Sequence, residues 1–197
     1  MTLVIALMSV VLLSAIGGSL AIVMNTDMRA AANFAAARET RYAADGALEL
    51  GAQELSTVAD WNALLSSGAL SGFTDGLPTG ARALGDGTTV DLAQATNAAN
   101  GESRPWGANN PIWRLFAFGW LGPRTYVIVW AGDDFAENDG DPSTDGGGVA
   151  NPGTGILALR AEAFGVGGSH TVLEATVGRA PDASADLHML SWHELRQ

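Results

Sequence analysis

The chain has 197 residues, 47% of them hydrophobic, and a formal net charge of -11, with all ten basic residues being Arg. That balance lacks the basic face on which phosphate binding depends, so nucleic acid is not an expected partner. Cys is absent, which excludes a disulfide staple, a thiolate metal site and a Cys nucleophile.

In chain order, the first feature is an uncharged run from Met1 to Asn25, ahead of the first charge at Asp27. At 1.5 Å per residue this run makes roughly 36 Å of helix, enough to cross a hydrocarbon core of about 30 Å with some tilt. No basic flank or small-x-small cleavage site accompanies it, so it is expected to be retained, not cut away as a secretory signal. An inner-membrane anchor ordinarily carries Lys or Arg on its cytoplasmic side. None precedes Met1, and the expectation is that the chain starts at a processed end. Gly17 and Gly18 lie inside the run. They are read as simple tolerance of Gly in a membrane helix, as a close-packing surface with Ser14, or as a place where the helix can locally unwind.

Beyond Asn25 the pattern turns amphipathic without a Pro or turn cluster. Ala44, Leu48, Gly51 and Leu55 recur near 3.6 residues, while Arg38, Glu39, Arg41, Asp45 and Glu49 supply polar surface. Three parts are therefore expected: residues 1–25 in a membrane or filament core, 26–55 as the amphipathic continuation, and 56–197 as one globular head. Asp60 to Leu65 suggests a short helical turn. The dense Ser, Gly and Pro of residues 66–80 read as a connecting loop, Thr88 to Leu92 as a strand, and Asn97 to Pro111 as turns.

From Ile112 the period becomes two. Residues 112–118 and 125–130 read as one antiparallel hairpin around GWLGPR, and 156–164 and 171–177 as a second around Gly165, Gly167 and Gly168. In the second hairpin Leu157, Leu159 and Ala161 share a face with Leu173, Ala175 and Val177, and Arg160, Glu162 and Glu174 share the other. Such alternation predicts one buried face and one wet face, the buried one covering the second half of the long helix. The fold class is α+β.

Between the hairpins lies an acidic loop, residues 133–148. Asp133, Asp134, Glu137, Asp139, Asp141 and Asp145 crowd into it with no basic residue among them. Ca²⁺ takes 6 to 8 oxygen ligands, and Asp133, Asp134, Asp139, Asp141 and Asp145 are its candidate ligands, although the loop lacks the bidentate Glu of an EF-hand. The competing reading is a solvated acidic loop held open by repulsion. Catalysis is not expected: His170, His188 and His193 are too few and too spread for a zinc motif, and Ser169-His170 reads as a hairpin turn. Trp106, Trp113, Trp120 and Trp192 read as core or interface residues.

Several stretches together resemble a known family. The start TLVIALMSVVLLSAIGG, the helical YAADGALELGAQEL, the VIVW strand, the Asp-rich loop, the GILALRAEAFGVGG hairpin and the closing SWHELR are similar to PilX-type minor pilins of the pseudopilin superfamily. The resemblance implies a pilin-like fold, with a class III signal peptide cut just before Met1. It also implies an inner-membrane stage, and then extraction into an extracellular type IV pilus or related pseudopilus. Its implied partners are the membrane, major and minor pilins contacted through the helix, and a tip adhesin. Most members carry Glu where Ile5 stands here. That carboxylate is thought to neutralise a neighbouring subunit's amino terminus, so Met1, Ile5, Gly17 and Gly18 become the assembly residues, and Ile5 implies a place at the filament tip, priming or capping assembly. The alternative is a single-pass anchored extracytoplasmic binding domain that never polymerises.

Overall fold

A computed structural model describes residues 1–102, 109–137, 140–146, 155–179 and 187–195. The chain divides into two units, Met1–Ala36 and Ala37–Gln197. Helix α1, Thr2–Thr57, supplies all but the first residue of the former and the opening of the latter. Within the first unit the helix is unbroken at Gly17 and Gly18, and its large apolar side chains, Leu3 through Met28, are exposed. Three of the hydroxyls among them turn back on their own helix: Ser9 donates to the Ile5 carbonyl at 2.9 Å, Ser19 to Ile16 at 2.9 Å and Thr26 to Ile22 at 3.0 Å. The segment can therefore enter an apolar medium without unsatisfied side-chain hydroxyls at these positions. It is long and apolar enough to cross a membrane.

The second unit is built on a five-stranded antiparallel sheet in the order β3 (Arg114–Trp120), β4 (Tyr126–Asp133), β5 (Ile156–Phe164), β6 (His170–Arg179) and β7 (Leu187–Leu195). One face packs on the end of α1. Thr40, Ala44, Ala47, Leu48, Gly51 and Leu55 are buried at steps of three and four, the stripe a helix presents to a core. Val127, Val129, Leu157, Leu159, Leu173 and Ala175 meet them from the sheet, as the period-two pattern predicts. Small residues let the backbones approach closely. A Cβ on Gly51 would lie 3.0 Å from Val129 Cγ1, and one on Gly165 would lie 2.6 Å from Thr40 Cγ2. Thr40 is itself held by a 3.0 Å hydroxyl pair with Thr171, so it has little room to retreat. Gly165→Ala is expected to destabilise the unit by about 1–3 kcal/mol through overpacking. The measurement is the urea midpoint of the full chain in detergent, and an unchanged midpoint contradicts this packing.

Helix α2, Trp61–Ser67, follows α1 closely. Asp60 caps it by accepting from the Ala63 amide, and Gly68 ends it at φ 73°, the left-handed conformation that suits glycine. Arg179, at the end of β6, donates to the Val58 and Ala59 carbonyls and stacks over the Trp61 ring, fastening this corner to the sheet.

The second face of the sheet departs from expectation. It is covered, not wet. After an irregular stretch from Gly68 to Gly80, the chain forms a small hairpin, β1 (Ala81–Ala83) with β2 (Thr89–Asp91), and then α3 (Leu92–Gly101). Leu84, Val90, Leu92 and Ala99 from this segment bury a second core with Phe118, Tyr126, Ile128, Trp130 and Ala158. The loop expected over 66–80 begins only after Ser67, which ends α2, and the strand expected over 88–92 is present as β2, with Leu92 starting α3; α3 also replaces the turns expected from Asn97 as far as Gly101. Arg160 and Glu174, expected in water on this face, are 1% and 0% exposed.

Candidate functional site

Three places carry the functional expectations. The assembly residues Met1, Ile5, Gly17 and Gly18 are all exposed on the first unit, and a Cβ on either glycine would meet nothing within 4 Å. Their surface is free to pack against another helix. Helix α1 runs unbroken through both glycines.

The acidic loop is the second place. Asp133, Asp134, Glu137 and Asp145 are buried, contrary to a solvated loop. Asp133 ends β4 at 0% exposure; its Oδ2 accepts from Asn109 Nδ2, while its Oδ1 has no hydrogen-bond donor in reach. Burial, and then the Glu137 carboxyl beside it, push Asp133 up to about 8. Burial also raises Asp134 and Asp145. Asp145 is committed elsewhere, accepting from the Gly155 amide at 2.8 Å and 3.0 Å through its two oxygens while its own amide donates to Asn62. Asp141 is exposed, and hydrogen bonds from Ser143 hold it below the usual carboxylate range. Asp139, like Trp106, Gly147 and Gly148, lies outside the described residues. Among the described residues no three His, Asp or Glu side chains converge as metal ligands.

The third place was missed by sequence reasoning. The register of β4 to β7 aligns Trp130, Arg160, Glu174 and His193 in one row across four strands. All five Arg160 N–H groups are used. Nε donates to Glu162 at 2.8 Å; Nη1 donates to Glu102 at 2.8 Å and to Glu174 at 3.1 Å; Nη2 donates to Glu102 at 2.7 Å and to Glu162 at 2.6 Å. Burial opposes the guanidinium charge, but these bonds and the Glu102 and Glu162 charges outweigh it and raise Arg160 above its ordinary value. Burial likewise pushes Glu162 up, and the His170 hydrogen bond and Arg160 together overcome it, holding that carboxyl below its ordinary value. His170 approaches the other Glu162 oxygen at 3.0 Å, and His193 approaches Glu174 at 3.3 Å.

Above this network opens a cavity of about 480 Å³, bounded by α3, the β1–β2 hairpin and the Gly165–Gly168 turn. Phe164 and His170 stack at its edge, ring centroids 4.4 Å apart. The available signal was the run of three charged residues, Arg160, Glu162 and Glu174, sharing one strand face, together with Asp91 three residues before Gln94, the spacing of a helix cap. Read together, they announce a helix beginning at residue 92 and a polar row that it covers. The chain matches no family model, no curated protein and no solved structure.

Proposed function

We propose that the chain is a non-catalytic minor subunit of a type IV pilus or related pseudopilus, of the PilX type, that primes or caps the filament. The observation supporting this most is the division of labour along α1. Its first part exposes apolar side chains on every side, which water penalises and which lipid or a bundle of like helices accommodates. Its last part is buried on an antiparallel sheet that gives the head a folded core of its own. Such a helix serves two solvents in turn, the inner membrane before assembly and the core of an extracellular filament afterwards. Its partners are then the major and minor pilins, with a tip adhesin beyond them.

Ile5 supports the tip position. An apolar side chain there can sit in lipid or protein at little cost but offers no carboxylate to a neighbour's amino terminus, a charge that would otherwise be buried unpaired at several kcal/mol. The absence of Cys makes a clean test available. A benzophenone carried on a cysteine introduced at Leu13, with irradiation in cells that assemble filaments, is expected to give adducts with other filament subunits. Adducts with lipid alone would overturn assembly through the helix. The second reading, an anchored binding domain that does not polymerise, is favoured by one observation, the cavity above Arg160.

We also propose Ca²⁺ as a stabiliser of the acidic loop, supported by the buried Asp133 Oδ1 without a donor and the adjacent Glu137. A cation bound only to the folded chain adds about 2.7 kcal/mol at a hundredfold excess over its dissociation constant. The full chain in detergent is then expected to melt higher in Ca²⁺ than in chelator at matched ionic strength, with Asp133→Asn losing the difference. Coincident curves would overturn Ca²⁺ binding at this loop.

A further inference from the structure

We infer that the β1–β2 hairpin is a flap over the cavity above Arg160, hinged at its base and latched at its tip by Asp86. The hairpin is a two-stranded sheet of its own, with no backbone ladder to the five-stranded sheet. A lone hairpin of this kind is marginally stable in water, so what holds it down decides how often it lifts. At the base, Arg82 donates to Asp75 and to the Leu77, Thr79 and Gly80 carbonyls, and lies over the Phe118 ring. Gly80, at φ 92°, leads the chain into β1 in a conformation that glycine adopts without strain.

The tip is held differently. Between Ala83 and Val90, among the described residues, one hydrogen bond leaves the hairpin: Asp86 Oδ2 accepts from the Gly167 amide at 2.8 Å. Asp86 Oδ1 accepts from the Thr88 amide at 3.0 Å and from its hydroxyl at 2.6 Å, which fixes the carboxylate in the turn. These bonds, that from the Thr88 hydroxyl foremost, lower the Asp86 carboxyl to about 2, so the latch stays charged throughout the neutral range. The remaining anchors are apolar. Leu84 and Val90 are each 8% exposed at the rim of the second core, whereas Leu92, Ile128 and Trp130 are 0% exposed within it. Attachment by two rim side chains and one tip bond is what lets a segment open while the rest stays folded. The latch also spans the cavity. Leu84, Thr88 and Val90 line one side and Phe164, Gly168 and His170 the other, so the bond from Asp86 to Gly167 ties the two walls together. Lifting the tip widens the way in for a small molecule, and re-forming one charge-assisted bond closes it. This inference does not depend on filament assembly.

The test is thiol labelling of the full-length chain in detergent, which has no Cys of its own to interfere. Val90→Cys places a thiol on the cavity wall beneath the flap, and Val129→Cys places one in the core under α1 as the reference. Val90→Cys is expected to react with an aryl disulfide at least about tenfold faster than Val129→Cys, and with a far weaker dependence on urea, because the flap opens without exposing the surface that global unfolding exposes. Adding Asp86→Ala is expected to speed labelling at position 90 about tenfold or more, with the urea dependence still weak. Asp86→Asn keeps a carbonyl oxygen for the Gly167 amide and is expected to speed it by less. Hydrogen exchange at the Leu84 and Gly167 amides, compared with that at Val129, gives the same reading without any cysteine. Equal urea dependence at the two positions would mean that the hairpin leaves only when the whole unit unfolds, and would overturn the flap. Labelling at position 90 unchanged by Asp86→Ala would overturn the latch.

Discussion

Arg160→Met is expected to destabilise the second unit by about 3–5 kcal/mol, enough to leave a domain of ordinary stability marginal. The substitution removes the guanidinium that pairs with Glu102, Glu162 and Glu174, and leaves two of those carboxylates buried. The loss comes less from the attraction itself than from the charges stranded by its removal, because desolvating an ion pair consumes most of its Coulombic gain. That distinction is measurable. Adding Glu162→Gln and Glu174→Gln to Arg160→Met removes the stranded charges, and the triple variant is expected to recover a large part of the loss in urea denaturation of the full chain in detergent. The single variant should also regain stability on acidification, as its buried carboxylates take up protons. A triple variant no more stable than Arg160→Met would mean that the guanidinium acts through packing.

The second large effect is a pH dependence centred on Asp133. Its folded value of about 8 lies well above the ordinary 3.8, so between those limits the folded chain holds a proton that the unfolded chain has released. Stability therefore falls as pH rises through that window, by at most about 1.4 kcal/mol per unit from this proton. Glu162 has the opposite sign. Its folded value is depressed, so its contribution is present above the ordinary carboxylate range and is lost as pH falls through the folded value. Together they place the optimum in mildly acidic solution. Asp133→Asn is expected to flatten the alkaline side and to exceed the parent chain in stability at pH 8.5, with Asn109 still able to donate to the new side chain. Parallel pH curves for the two chains would contradict the raised Asp133 carboxyl.

The parts of this fold that were legible in the sequence are those where one period runs long enough to be unmistakable. The uncharged start of α1 needs no context to be read, and the stripe from Ala44 to Leu55 places its own core face. In the β5–β6 hairpin, alternation sets the register up to the glycine turn. What alternation cannot say is what covers the second face. Arg160, Glu162 and Glu174 look wet because each alone would be, yet they neutralise one another across adjacent strands and are roofed by a segment some 60 residues away in the chain. That roof was itself hard to see, since α3 is built of Ala, Asn, Thr and Gln, weak in apolar periodicity and marked chiefly by the Asp91 cap. Strand β7 was obscured for a similar reason: Met189, Leu190 and Trp192 stay exposed at the sheet edge, so no burial pattern is imprinted on it. In the acidic loop, composition announced a cluster of carboxylates. It could not announce that Asp133 and Glu137 turn inward while Asp141 turns out.

The central claim, a subunit held by its apolar helix and placed at a filament end, is tested most directly by locating the chain. An epitope inserted at the Gly87 turn, where the left-handed backbone bends freely between β1 and β2, would be followed by immunogold on filaments sheared from the cell. Label in few copies at one end of each filament is the expected result. Label spread along the shaft in proportion to length, or confined to the membrane with none on filaments, would contradict it.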